Sequence, residues 1–96
     1  MLNNADSKVR QRLRFTGRVQ GVGFRYTASH AANALGLTGL VYNEWDGSVI
    51  MEVQGRSSTI SCLIEKLDTA MFIEIDNIEK TNLPLVEWES SFEIKD

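Results

Sequence analysis

Thiol and imidazole groups are almost missing from this chain: Cys62 and His30 stand alone. A single cysteine cannot close an internal disulfide, and one Cys with one His cannot fill a zinc or iron–sulfur ligand set. Neither metal catalysis nor a cofactor is expected. Cys62 falls inside an amphipathic helical pattern, distant in sequence from His30, and reads as a packed or surface thiol rather than an activated nucleophile. Long apolar runs are missing too, none approaching the roughly 20 residues that cross a bilayer. The polar first six residues lack the apolar stretch of a secretory signal. A cytoplasmic protein with no membrane association is expected.

What is present suits one small globular domain. With 96 residues, of which 43% are hydrophobic, the chain can bury a core but has no room for a separate substrate domain. We expect a flexible N-terminal segment over residues 1–8 and a single domain over residues 9–96. The net charge of −3 hides an asymmetry: Lys8, Arg10, Arg12, Arg14, Arg18 and Arg25 lie in a stretch with no acidic residue. A positive field there favours an anionic ligand, either a small phosphate or a nucleic-acid backbone.

Val9, Gln11, Leu13 and Phe15 alternate with arginines, the period of a half-buried strand ending near Thr16. A glycine-punctuated loop over residues 17–23 follows. Phe24, Ala28, Ala31 and Leu35 then recur at helical spacing until Gly36 stops the helix. Leu40, Val41 and Tyr42 form a strand running into Asn43, and Asp46-Gly47 is a hairpin signal before Val49, Met51 and Val53. Ser57, Ser58 and Thr59 offer an N-cap to a second helix with the stripe Ile60, Leu63, Ile64, Leu67 and Met71. Ile73 and Ile75 alternate, but Ile78 breaks the parity, which points to a bulge or a late start in the fourth strand. Phe92 and Ile94 suggest a short final strand.

The order β-α-β-β-α-β predicts an α+β, ferredoxin-like (split βαβ) two-layer sandwich, with a mainly antiparallel sheet, both helices on one face and an extra C-terminal strand. The other face should meet water. Arg10, Arg12 and Arg14 would lie there, pairing across strands with Glu52 and with Glu74 or Asp76, or else forming a binding patch.

The chemistry concentrates in Gly17-Arg18-Val19-Gln20-Gly21-Val22-Gly23-Phe24-Arg25. Glycines at a strand-to-helix junction let backbone N–H groups turn inward, and the free amides of the helix start point the same way, which makes an anion nest. The Arg25 guanidinium can bind two phosphate oxygens at once. The loop lacks the Gly-Lys-Ser/Thr of nucleotide-binding loops, and the hairpin after the first helix excludes a dinucleotide fold. Parity places Asn43 on the same face as Val41, toward the start of the first helix.

This loop, together with Gly39-Leu40-Val41-Tyr42-Asn43-Glu44-Trp45-Asp46-Gly47-Ser48-Val49, resembles the two signature segments of the acylphosphatase family in order and spacing. The match is best from about Leu13 to Gly55, and Phe92-Glu93-Ile94 is similar to the family's last strand. The resemblance implies the same fold and hydrolysis of acyl phosphates. It also implies a phosphate cradle from the backbone of Gly17, Arg18, Val19, Gln20 and Gly21, phosphate binding by Arg25 and orientation of the attacking water by Asn43. The expected partners are a small acyl phosphate and the product inorganic phosphate, handled by a monomer. Leu40 and Tyr42 depart from the commoner family pattern, in which Trp and Arg often stand at these places, so rate or preference is expected to differ. The stretch 69–88 lacks the family's Gly/Pro-rich turn.

An acyl phosphate expels a carboxylate, whose conjugate acid has a pKa of about 4, so no strong general acid is required. Charge stabilisation and an in-line water suffice, and Arg25, the loop amides and the Asn43 side chain can supply them. Other readings of the same residues stand beside this one. Arg25 can pair with Glu44 or Asp46, Asn43 can serve only as a turn residue, Trp45 can be a bare loop aromatic or line the substrate entrance, and His30 reads as an ordinary helix imidazole. Trp88 receives no role. A non-catalytic anion- or RNA-binding module is the alternative, disfavoured because the open face presents arginines, Glu52 and Gln54 where RNA readers of this topology use aromatics. An acylphosphatase-like module of a larger carbamoyl-transfer enzyme is disfavoured by length and by the single cysteine.

Overall fold

The structure, a computed structural model, describes residues 6–96; residues 1–5, most of the expected flexible segment, lie outside the described residues. β1 (Lys8–Arg18) turns Leu13 and Phe15 into the core. After a short loop α1 (Phe24–Ala34) buries Phe24, Ala28 and Ala32. β2 (Thr38–Asn43) and β3 (Val49–Arg56) form the hairpin predicted from Asp46-Gly47. α2 (Ser57–Asp68) buries Ile60, Leu63 and Leu67, and β4 (Glu74–Leu83) and β5 (Phe92–Ile94) complete the chain.

The five strands make one sheet in the order β4-β1-β3-β2-β5, antiparallel throughout except for β5, which runs parallel to β2. This is the ferredoxin-like α+β sandwich with an added C-terminal strand. Both helices contribute to a single core with Leu13, Phe15, Val41, Met51, Val53 and Phe92. Burying each such large side chain is worth about 1.5–3 kcal/mol, and Phe15 and Phe24 add a tilted ring contact at 4.9 Å.

The parity break in the fourth strand is a bulge. Thr16 lies opposite Asn77 but Gly17 lies opposite Ile75, so Asp76 is the extra residue. Absorbing one residue there lets Ile73, Ile75 and Ile78 all turn toward the core.

Three expectations are corrected. The face away from the helices does not simply meet water. Because β4 and β5 lie on opposite edges, residues 84–91 must cross the sheet, and they strap over that face. The Gln54 side chain donates to the Val86 carbonyl (2.7 Å) and accepts from the Val86 amide (2.9 Å). Arg10 donates to both carboxylate oxygens of Glu89 (2.7 and 3.1 Å), to Glu52 (3.2 Å) and to Gln54 (3.3 Å), and is only 4% exposed. Arg14 pairs with Asp46 and Glu79, and Glu74 meets Arg18 instead.

The second correction concerns the cap of α2. Its boundary residue is Arg56, with no side-chain cap of its own; Asp6 accepts hydrogen bonds from the amide and hydroxyl of Ser58, and Ser57 N–H donates to the Ser7 carbonyl. The cap comes from the far end of the sequence rather than from the local Ser/Thr cluster. Third, Met71 does not continue the apolar stripe, because α2 ends at Asp68 and Met71 is exposed.

Candidate active site

The junction between β1 and α1 is shaped by glycines with two different duties. At Gly17 a Cβ would run into the Glu74 carbonyl oxygen and the Asp76 amide, so close strand pairing at the bulge demands glycine. Gly21 and Gly23 have open space around them but left-handed backbones (φ 75 and 80), so their demand is conformational. The turn leaves donors unspent. Among the described residues, the amides of Gln20, Gly21, Val22 and Gly23 make no backbone hydrogen bond, and the first helical bond runs from Thr27 N–H to the Gly23 carbonyl (2.9 Å). The first turn of α1 holds no acidic residue, so its positive dipole end is not neutralised from within the helix.

Of these loop residues, Gly21 and Gly23 line a cavity of about 310 Å³. Gly21, Gly23, Arg25 and Asn43 form its polar side, and the buried Val19 and Phe24 form its floor. Tyr26, Ile94 and Asp96 form the outer wall. Asn43 arrives at the end of β2 on the face it shares with the buried Val41, as its parity required. A wider opening of about 610 Å³ lies at the other end of the sheet, bordered by Lys8, Gly36, Arg56 and Thr59. It is not the candidate site, because the free loop amides, Arg25 and Asn43 meet only at the smaller cavity.

The residues singled out from sequence therefore divide. Val19, Gly21, Arg25 and Asn43 come together from two stretches of chain, the loop running into α1 and the end of β2. Gly17 and Arg18 lie on β1 and do not line the cavity; Arg18 is exposed, 3.9 Å from Glu74. Arg25 approaches neither Glu44 nor Asp46 but has its Nη1 4.0 Å from Asp96 Oδ1, with both side chains open to solvent. Trp45 stands almost wholly exposed at the hairpin and does not line the cavity.

An acylphosphatase family profile matches residues 11–94. The chain belongs to the acylphosphatase family. It is 42% identical to an acylphosphatase of Caldanaerobacter subterraneus subsp. tengcongensis over 69 residues, 71% of this chain and 77% of that one. It is 39% identical to an acylphosphatase of Bifidobacterium longum over 80 residues, 82% of each chain. The crystal structure of acylphosphatase from Bacillus subtilis superposes with a TM-score of 0.83 at 30% identity, covering 92% of this chain and 99% of that one. The resemblance read from the two sequence segments is borne out.

In this acylphosphatase-family enzyme the loop and the hairpin beyond Asn43 are braced against each other. Gln20 Nε2 donates to the carbonyls of Glu44 (2.7 Å) and Ser48 (2.8 Å), and Glu44 N–H donates to the Ser48 carbonyl (2.9 Å). Asp46 Oδ1 accepts from the Ser48 hydroxyl (2.6 Å) and amide (3.0 Å), while Oδ2 accepts from Arg14 (2.9 Å). Those bonds, the Ser48 hydroxyl first, hold the Asp46 carboxyl well below the ordinary carboxylate range. Sequence reasoning missed the brace because Gln20 looks like any polar loop residue. It also missed Tyr26, Ile94 and Asp96, and only for Ile94 was there a signal, the face it shares with Phe92.

Proposed function

We propose that this chain hydrolyses acyl phosphates to a carboxylate and inorganic phosphate, with the phosphoryl group held by Arg25 and the loop amides and the attacking water oriented by Asn43. The observation that carries this reading is the meeting of Arg25, Asn43 and two loop residues whose amides make no backbone hydrogen bond, Gly21 and Gly23, at one cavity. The water oxygen forms a bond to phosphorus as the bond between phosphorus and the acyl oxygen breaks. The carboxylate leaves with the electron pair, and the water proton passes to a phosphate oxygen, since no side chain at the polar side is a good base. Arg25 and the amides stabilise charge on the equatorial oxygens, and the Asn43 amide, both donor and acceptor, holds the water in line.

Within this reading Val19, Gln20 and Gly21 lend backbone amides. Gly17 lets β1 enter the loop through its bulge, and Arg18 adds to the positive field that draws the dianion in. No metal or cofactor is needed, because the leaving group is already a good one. Among the described residues no helix is long and apolar enough to cross a membrane. The exposed free Cys62 suits a reducing compartment such as the cytoplasm. The RNA-binding alternative is less well supported, because Arg10 and Arg14 are engaged by carboxylates.

Turnover of benzoyl phosphate near neutral pH with EDTA present tests the proposal. Asn43→Ala should lower kcat by about 10²-fold or more, the range for losing one oriented group at a transition state, while inhibition by inorganic phosphate stays within about twofold. Arg25→Lys should weaken both turnover and phosphate inhibition, since an ammonium cannot reproduce the bidentate fork. A folded, inactive wild type would leave a non-catalytic anion-binding module, and loss of phosphate inhibition in Asn43→Ala would overturn the division of roles.

A further inference from the structure

The cavity holds more than a phosphoryl group requires. Its volume of about 310 Å³ is far above the roughly 30 Å³ that one water molecule takes up in the liquid, whereas a phosphoryl group has only four heavy atoms. Its outer wall is also chemically unlike its polar side. Tyr26 and Ile94 are 70% and 42% exposed, yet both face this one opening from different elements. Neither position is left to chance. The Tyr26 ring stacks on His30 one turn along α1, with centroids 6.0 Å apart and planes at 12°. Ile94 is held by the pairing of β5 with β2 and by the Lys95 N–H bond to the Val41 carbonyl (2.8 Å). Beside them the exposed Asp96 carboxylate adds negative charge to the wall.

We propose that Tyr26 and Ile94 form the acyl subsite, selecting acyl phosphates whose acyl group is uncharged and apolar, about the size of a phenyl ring, over acetyl phosphate and over acyl groups bearing a second carboxylate. The proposal rests on the hydrolase reading above. With the phosphoryl group against Arg25 and the loop, the acyl carbonyl points out of the mouth and its substituent lies between the Tyr26 ring and the Ile94 side chain. Contact there removes apolar surface of both partners from water. A carboxylate on the acyl group would meet Asp96 and be repelled.

The test compares kcat/KM for benzoyl, acetyl and succinyl phosphate in the wild type, Tyr26→Ala, Tyr26→Phe and Ile94→Ala. The wild type should prefer benzoyl phosphate. Tyr26→Ala and Ile94→Ala should each lose about tenfold on benzoyl phosphate, within the about 10–200-fold that small apolar changes produce in such pockets. Acetyl phosphate turnover and phosphate inhibition should stay within about twofold, and Tyr26→Phe should keep the preference because the ring, not the hydroxyl, makes the contact. Equal losses on benzoyl and acetyl phosphate, or no loss at all, would overturn the subsite. Calorimetric binding of 2-oxo-2-phenylethyl phosphonate against 2-oxopropyl phosphonate separates the two readings. Tighter phenyl binding that depends on Tyr26 in a protein with no turnover would sink the hydrolase reading alone, and equal affinities would sink the subsite whether or not the protein turns over.

Discussion

Phe72 takes a left-handed backbone conformation (φ 76) in the turn between α2 and β4 while its ring is 71% exposed. A side chain in that region costs about 1–2 kcal/mol, and here little burial offsets it. Phe72→Gly should therefore stabilise the fold, by about 0.5–1 kcal/mol once the greater unfolded-state freedom of glycine is subtracted. A urea midpoint that falls in the variant would show that the ring makes contacts worth more than the strain. Gly17 presents the reverse case, since any side chain there collides with β4. At this scale the loop glycines, Arg25 and Asn43 were legible in sequence, because spacing and parity constrain them locally, whereas Gly17's close approach to β4 was not, since its neighbours Glu74 and Asp76 are far away in sequence. Gln20's hold on the hairpin was not, since its acceptors are backbone carbonyls of Glu44 and Ser48, which no residue identity reveals.

Among the elements, β5 depends most on its attachments. It has three residues, too few to be stable without them. Asn33 on α1 donates to the Phe92 carbonyl (3.0 Å) and accepts from the Phe92 amide (2.9 Å), giving the strand a side-chain substitute for a neighbour. Removing both bonds in Asn33→Ala should cost about 1–2 kcal/mol at a net worth near 1 kcal/mol each, with faster amide exchange at Phe92 than in the strands of the sheet centre. Unchanged exchange at Phe92 would mean that the buried Phe92 ring alone anchors β5. The elements themselves were readable from their 2- and 3.6-residue periods. The cap on α2 was not, because Asp6 lies about fifty positions away in sequence and reaches Ser58 only after β1 and β3 have paired.

For the whole molecule, the strap over the sheet is the main departure from a bare sandwich. Arg10 is buried beneath it, and its guanidinium is pushed further above its ordinary pKa, chiefly by the Glu89 hydrogen bonds. Burial pushes the Glu89 carboxyl up, but Arg10 and the Thr38 hydroxyl together outweigh this and hold it below its ordinary value of 4.5. A carboxyl whose pKa is depressed on folding adds stability above its unfolded pKa and loses it as pH falls through the folded one. Unfolding free energy should therefore decline as pH drops below about 4.5, and Glu89→Gln should flatten part of that decline. At pH 7 the same variant should be less stable by about 3 kcal/mol, the lower end for unpairing a buried charge, because Glu52 still holds Arg10. An acid profile identical to the wild type would show that the strap is held by Gln54 and Val86 instead.

By itself the sequence determined the order of strands and helices, the shared face of Val41 and Asn43, the glycine-punctuated loop between the first strand and helix, and the exclusion of internal disulfide and metal-cluster chemistry. Each of these follows from local periodicity or from which side chains exist at all. Only the tertiary structure decided which face of the sheet the segment 84–91 covers, what Arg10 pairs with, and that Ile94 and Asp96 reach the cavity beside Arg25. Those outcomes depend on the sheet order, which puts β4 and β5 on opposite edges, and edge placement is settled by the competition of whole surfaces for burial rather than by any stretch of residues read alone.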